Sequence, residues 1–436
     1  MNQISQMKQL TFLLIFLAVF INTNAQDTLV VMQYNLLYYG INTEFCTSAN
    51  NNLETKDQAL RTILNEIKPD IFTVNELSST ITVHQHLLDT DLNFDGETKY
   101  KMAAQKPVAF SNICQLVFYN SLKLRLKRQS IAQSVVRDVN VYELYYISDD
   151  LAQGDTAFIT CVATHLKAGN TSTDETTRNT MVNNTMQYLE NGFQSSNLLF
   201  MGDFNYYTAF EPGFQSMTNY SNPALRFFDP VNRIGSWNNS SSYSDVHSQS
   251  THTSSTGCAS TGGMDDRFDF ILISNEVRDG LRHVTYIPET YHAFGQDGNR
   301  FNGFINGSPA NSVVSQEVAD ALYNMSDHLP IVMKLKIDKT LNVNEIYGKP
   351  FLVSLSPNPV SVTNPNVNIR FQGDFSGDFL LEFINLKGMV VCKETFSNIS
   401  VNQPVNIDLS KFKSGIYFLK VSNEKGFVHT EKIIVI

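Results

Sequence analysis

Along residues 29–337 short apolar runs recur, and most of them close on a side chain that can bind a cation or move a proton. Leu29-Val30-Val31-Met32-Gln33-Tyr34 ends on Asn35, Asp70-Ile71-Phe72-Thr73-Val74 leads to Glu76, and Phe158-Ile159-Thr160-Cys161-Val162-Ala163 leads to His165. The run Asn197 to Met201 delivers Asp203 and Asn205, while Asp327-His328 stands just before Ile331-Val332-Met333. β-Branched and apolar runs of this length predict buried strands. A polar group at a strand end is held rigidly at a surface, which is where α/β proteins gather reactive side chains. Further strands are expected over Ile113 to Tyr119, Val139 to Ile147 and Arg267 to Ile273. Lys56 to Lys68 sets Leu60, Ile63, Leu64 and Ile67 on one helical face and is stopped by Pro69; Thr173 to Leu189 reads as a covering helix. The Ser/Thr/Gly-rich stretch Ser236 to Gly263 is expected to be a mobile loop, and His247, His252 and His292 to be ordinary loop histidines.

A chain of 436 residues exceeds one typical core, and 42% hydrophobic content belongs to a folded protein. The net charge of −10 excludes a protein that coats nucleic acid through a basic surface. Locally, Leu122 to Arg128 alternates leucines with cations, as either a strand with a solvated basic face or a wall that guides phosphate. Lys8, the apolar stretch Leu10 to Ile21 and the small residues ending at Ala25 predict a signal peptide over 1–25, and therefore export. That stretch is too short to span a bilayer comfortably, and no other approaches the length. Cys46, Cys114, Cys161, Cys258 and Cys392 are scattered without C-x-x-C spacing, which argues against zinc. Their odd number leaves at least one thiol free or paired between chains, and Cys161 reads as a small buried hydrophobe. Beyond Lys336 the character shifts: 338–349 is a polar linker, and 350–436 has the alternating segments and turn residues of a small all-β domain without a catalytic cluster.

The amide and carboxylate oxygens of Asn35, Glu76, Asp203, Asn205 and Asp327 are hard donors suited to Mg²⁺, Mn²⁺ or Ca²⁺. Mg²⁺ takes few protein carboxylates and leaves its other positions to water and phosphate, which suits phosphoester hydrolysis. His328 is placed to take a proton from water if Asp269 fixes its tautomer, and His165 to donate to a phosphate oxygen. Either histidine alone reads more readily as a structural hydrogen bond; their joint occurrence beside the oxygen donors favours chemistry.

Tyr34-Asn35, Asn75-Glu76, Thr164-His165-Leu166, Gly202-Asp203-Phe204-Asn205, Arg267-Phe268-Asp269-Phe270-Ile271 and Ser326-Asp327-His328-Leu329-Pro330 resemble, in this order, the motifs of the endonuclease/exonuclease/phosphatase superfamily. The resemblance spans roughly Leu29 to Ile337. It implies an α+β fold for 27–337, a four-layer α/β/β/α sandwich of the DNase I type. It further implies Mg²⁺ near Glu76 and Asn35, with Asp327 supporting that metal or a second ion. Asp203 and Asn205 would position or activate the nucleophile, His165 and Asn205 would bind the phosphate, and His328 oriented by Asp269 would act as base or transition-state donor. Whether Asp203 or His328 takes the proton stays open. Leu355-Ser356-Pro357-Asn358-Pro359, Gly415 to Val421 and Lys432 to Ile436 resemble the C-terminal sorting domain of type IX secretion cargo. That implies the type IX machinery as a partner, and release or surface anchoring after export.

Together these features lead to a secreted or cell-surface, metal-dependent phosphoesterase with nucleic acid as the leading substrate. A phospholipid or sphingomyelin phosphodiesterase, or a phosphomonoesterase, would use the same chemistry. The acidic balance weakens the nuclease case, whereas the lone Trp237 in a polar loop offers little for membrane docking. A catalytically silent surface-binding protein would be expected to lack one of Glu76, Asp203 and His328, and all are present.

Overall fold

Between Leu198 and Asp203 the side chains divide by alternation: Leu199 and Met201 join a core between two sheets, while Leu198 and Phe200 pack beneath helices on the other side. Ile271 and Ile273 separate from Phe270 and Leu272 in the same way. Apolar residues on both faces are what a strand covered on both sides requires. The computed structural model describes residues 27–341 apart from 105–108, 110, 195 and 255–256, and residues 352–436 apart from 373–377, 398–403 and 424–427. The expected signal peptide over 1–25 and most of the linker lie outside the described residues.

The first unit begins with β1 (Asp27–Tyr39), α1 (Leu53–Ile67), β2 (Ile71–Ser78), α2 (Ile81–His86), β3 (Tyr100–Met102), β4 (Ile113–Asn120), β5 (Leu124–Gln133), β6 (Val139–Tyr146) and β7 (Phe158–His165). It continues with α3 (Ser172–Glu190), β8 (Leu198–Asp203), α4 (Pro212–Thr218), β9 (Phe227–Phe228), β10 (Asp269–Ser274), α5 (Asn275–Asp279), β11 (Val284–Tyr286), β12 (His292–Ala293), α6 (Gln316–Met325) and β13 (Ile331–Ile337). One sheet has the order β11-β13-β1-β2-β4-β3, with β12 also on β13; the other has the order β5-β6-β7-β8-β10-β9. Leu60, Ile63, Leu64 and Leu322 from α1 and α6 join the core of the first sheet, and Met181, Met186, Leu189, Phe214 and Met217 from α3 and α4 cover the second. The expected four-layer α/β/β/α sandwich is therefore present.

Topology brings the polar strand ends together. β1 with β2 and β7 with β8 are parallel pairs, so their C-terminal ends fall side by side, with Asn35 opposite Asn75 and His165 opposite Asp203. β10 and β13 run the other way, so their first residues and the turn before β13 meet those ends; Asp269 pairs directly with Asp203. Lys68 ends α1 in the left-handed region at φ +51°, immediately before Pro69.

Several local expectations are refined. β1 continues past Asn35 to Tyr39 through a register shift. In β5 the alternation of leucines and cations breaks at a shift between Leu126 and Arg128. Two of its cations pair with Glu143, Arg128 Nε at 2.7 Å and Lys127 Nζ at 3.7 Å, while Arg125 donates to Leu124 O at 3.0 Å, which accounts for the basic stripe as a strand surface. The Ser236 to Gly263 segment is not a loose loop: Trp237 and His247 are fully buried, and Trp237 Nε1 donates to Tyr206 O at 2.7 Å. Aromatic packing around Phe214 and Phe270 explains why this polar sequence is held. Cys46 and Cys258 form a disulfide, and Cys114, Cys161 and Cys392 are free thiols.

The C-terminal unit holds β14 (Leu352–Ser356), β15 (Asn366–Gln372), β16 (Phe379–Asn385), β17 (Val390–Phe396), β18 (Val405–Asp408), β19 (Gly415–Asn423) and β20 (Val428–Val435). Its sheets β14-β15-β18 and β17-β16-β19-β20 share a core that includes Ile369, Phe371, Leu381, Phe383, Leu419 and Ile433. It is all-β, as the turn pattern predicts. Among the described residues, no helix is long and apolar enough to cross a membrane.

Candidate active site

At the joined strand ends, Glu76, His165 and Asp203 bring their ligand atoms within 4.8 Å of one another. Asp203 is 2% exposed, and its Oδ1 accepts from the Asn205 backbone N–H at 3.0 Å. Its Oδ2 accepts from Asn35 Nδ2 at 3.0 Å and lies 3.5 Å from His165 Nε2. Glu76 Oε1 accepts from Asn35 Nδ2 at 3.1 Å, and Oε2 accepts from the Tyr38 N–H at 3.2 Å. Glu76 and Asn205 both hold φ near +54°, a backbone conformation that non-glycine residues adopt only when their surroundings impose it.

Asn35 meets the cluster through its amide nitrogen, because its Oδ1 is taken by the Leu37 N–H at 3.0 Å. In this arrangement its nitrogen bridges the Glu76 and Asp203 carboxylates. Asp327 stands apart from the close group: its Oδ2 accepts from the Ser260 N–H at 2.8 Å, and its Oδ1 lies 3.9 Å from His328 Nε2. That Oδ1 and His165 Nδ1 are buried without a hydrogen-bond partner among the described residues. Two hard carboxylates beside an imidazole suit Mg²⁺ or Mn²⁺.

His328 is the pivot of the second half of the site. Its Nδ1 sits 2.6 Å from Asp269 Oδ2, and the same oxygen accepts from Ser248 Oγ at 2.7 Å. Its Nε2 lies 2.7 Å from Gln249 Nε2, 3.3 Å from Asn35 Nδ2 and 3.8 Å from Asp203 Oδ2. Amide N–H groups turned toward Nε2 require a lone pair there, so the ring carries its proton on Nδ1 toward Asp269. Burial opposes a charge on the ring, but Asp269, Asp203 and Asp327 outweigh it and raise the proton affinity well above the ordinary range. The surrounding carboxylates thus favour the charged ring, and Nε2 presents its lone pair to the cluster only in the neutral form.

The remaining groups are tuned by the same apolar surroundings. Burial pushes Asp203 up to about 7, with His328 opposing and the Asp269 and Glu76 carboxylates adding to the rise. Glu76 rises through burial and Asp327. His165 is held well below its usual range by burial, then by Arg137 and His328, so it is neutral. Crowded carboxylates in a water-poor site repel one another, and a divalent cation relieves that repulsion.

Sequence reasoning named Asp269 as the group that orients His328, but assigned no role to several others that place the site. Asn75 takes Gln33 Nε2 at 2.6 Å and the Asp203 N–H at 3.1 Å on its Oδ1, and its Nδ2 donates to Thr164 O at 2.7 Å, tying one sheet to the other. Gln33 lies two residues before Asn35 on the same strand face, a spacing that reveals the pair. Lys56 is buried, donating to Leu37 O at 3.0 Å and Met325 O at 2.6 Å; burial lowers its affinity to about 7 against the pull of Asp327 and Glu76. Ser248 and Gln249 lie in an irregular segment where no periodicity marks them.

Residues 354–436 match the family model of the secretion system C-terminal sorting domain. By that match, the all-β unit is similar to a sorting domain. No curated protein matches the chain. Solved structures similar to it include an endonuclease/exonuclease/phosphatase family protein from Bacteroides thetaiotaomicron, at 11% identity over 72% of this chain and 96% of that one with a TM-score of 0.44. The human nocturnin catalytic domain is 15% identical over 72% of this chain and 97% of that one, TM-score 0.42. Humanized TDP2 from D. rerio is 13% identical over 71% and 98%, TM-score 0.43.

Proposed function

We propose that the first unit is a divalent-metal-dependent phosphoesterase that hydrolyses phosphodiesters, with nucleic acid as its substrate, and that the chain is exported with its C-terminal unit serving type IX secretion. The observation that carries the catalytic reading is the meeting of Glu76, His165 and Asp203 within 4.8 Å, beside a histidine whose far nitrogen is fixed by a buried carboxylate. Glu76 and Asp203 would hold Mg²⁺ or Mn²⁺, with His165 at their side. Such an ion supplies charge stabilisation to a phosphate under attack. Asn205 and neutral His165 orient the phosphate oxygens, and His328 takes the proton of the attacking water through Nε2 while Asp269 stabilises the charged ring. Asp203 and Asn35 fix the position from which that water approaches. The export reading rests on the family match at residues 354–436.

The test is a panel of DNA, RNA, sphingomyelin, phosphoinositides and sugar phosphates with Mg²⁺ or Mn²⁺, each run with and without chelator and with Asp203→Asn. Metal-dependent cleavage of DNA or RNA that Asp203→Asn lacks supports the proposal. Cleavage confined to lipids or to phosphomonoesters overturns the choice of substrate, and no cleavage at all overturns the enzyme.

A further inference from the structure

Beside the reaction centre lies a cavity of about 280 Å³ that the proposed chemistry does not use. Leu37 and Ser326 form the wall common to both: the Leu37 N–H holds Asn35 Oδ1, and Ser326 Oγ donates to Asn35 O at 2.7 Å. The other walls come from the N-terminus of α1, the C-terminus of α6 and the segment around His252 and Ala259. The Cys46–Cys258 disulfide joins the two loops that close it. One of those loops reaches the reaction centre, since the Ser260 N–H donates to Asp327 Oδ2.

The chemistry of the lining is uniform. Among the described residues, no Asp, Glu, Lys or Arg lines the cavity. Asn51 spends Nδ2 on Leu37 O and Tyr38 O, leaving its Oδ1; Asn52 spends Oδ1 on capping α1 at the Thr55 N–H, leaving its Nδ2. Asn324 is exposed on α6, and His252 uses Nδ1 toward Thr251 Oγ1 at 2.7 Å, leaving Nε2. His252 and Tyr323 stack with ring centroids 3.9 Å apart and add an aromatic wall. Polyphosphates need cations, a quaternary ammonium needs carboxylates or an aromatic cage, and acyl chains need apolar walls. Amide donors and acceptors beside stacked rings are instead complementary to a flat, neutral ring with its own donors and acceptors.

We infer that this cavity is a subsite for an uncharged planar hydrogen-bonding ring carried by the substrate, a nucleobase, seated next to the phosphate under attack. The inference rests on the phosphodiesterase reading of the neighbouring site and adds the part of the substrate that it selects. Asn51, Asn52 and Asn324 would read the ring's edge, and the His252–Tyr323 stack would flank it.

Two diesters with the same p-nitrophenolate leaving group test it: thymidine 5′-(p-nitrophenyl phosphate) and methyl p-nitrophenyl phosphate. The ratio of kcat/KM for the first over the second should fall roughly 10-fold or more in Tyr323→Leu and measurably in Asn324→Ala, the scale of a lost base contact. Asn324 is exposed, so that variant serves if Tyr323→Leu does not fold. An unchanged ratio in folded variants overturns the subsite. If neither diester is cleaved, the phosphodiesterase reading fails by itself, and calorimetric titration with thymidine and adenosine decides the cavity. Binding that Asn324→Ala weakens supports the subsite; absent binding, or binding of choline or myo-inositol in their place, overturns it.

Discussion

Asp269 Oδ2 lies 2.6 Å from His328 Nδ1, although 59 residues of chain separate them. The contact exists because β10 and β13 both run against their parallel neighbours, so one strand's first residue meets the turn that precedes the other. A buried carboxylate at that distance fixes the tautomer that leaves Nε2 free to accept. Asp269→Asn keeps the shape and removes the charge, and should lower kcat by at least ~100-fold with little change in KM. Steady-state kinetics on a folded variant check it; a loss in KM alone would assign Asp269 to binding.

Glu76→Gln should weaken Mn²⁺ binding by roughly 10-fold or more, because it removes one of two carboxylates that meet at the candidate metal position. Mn²⁺ titration followed by paramagnetic relaxation of water reads this without any substrate. Equal affinity in the wild type and the variant would remove Glu76 from the ligand set.

Asn75→Ala should destabilise the first unit by about 1–3 kcal/mol, since it strands a buried Asp203 N–H and the Gln33 amide. Urea unfolding followed by tryptophan fluorescence is suitable, as the only tryptophan, Trp237, is buried in that unit. A change within experimental error would mean that the two sheets are tied elsewhere.

Lys56 gives a pH dependence with a definite sign. Its folded affinity is lowered from 10.5 to about 7, mainly by burial. Between those values the unfolded chain binds more protons than the folded one, so stability rises with pH. The cost is fully present below pH ~7 and relieved toward pH ~10.5. In chelator, the stability of wild type relative to Lys56→Met should therefore climb from pH 7 to 10. A flat difference would show that Lys56 stays charged when buried.

Reducing the Cys46–Cys258 bond, which spans 212 residues of sequence, should lower stability by about 2–5 kcal/mol. Melting curves with and without reductant, compared with the Cys46→Ala/Cys258→Ala double variant, measure it. Reductant sensitivity that persists in the double variant would place the effect elsewhere.

Much of this architecture is legible in the sequence because a strand buried on both faces leaves a continuous apolar run, and the polar residue that ends it is conspicuous. Asn35, Glu76, His165, Asp203 and His328 stand out for that reason. Two kinds of information were not local. Asn35 turns its nitrogen inward only because the bulge after it brings the Leu37 N–H onto its oxygen, and no residue pattern announces that bulge. Ser248 and Gln249 reach Asp269 and His328 from a segment without periodicity, held down by Trp237 and His247 rather than by regular structure. The disulfide belongs to the same class, since a pair so distant in sequence is chosen by the folded loops.

The most direct measurement is hydrolysis of bis-p-nitrophenyl phosphate by the purified chain, with Mg²⁺ or Mn²⁺, with chelator, and with Asp203→Asn. Turnover that stops in chelator, returns with metal and falls at least ~100-fold in Asp203→Asn is the predicted result. Undiminished turnover in excess chelator, or in the folded Asp203→Asn variant, would contradict the metal-dependent site built around Glu76, Asp203 and His328.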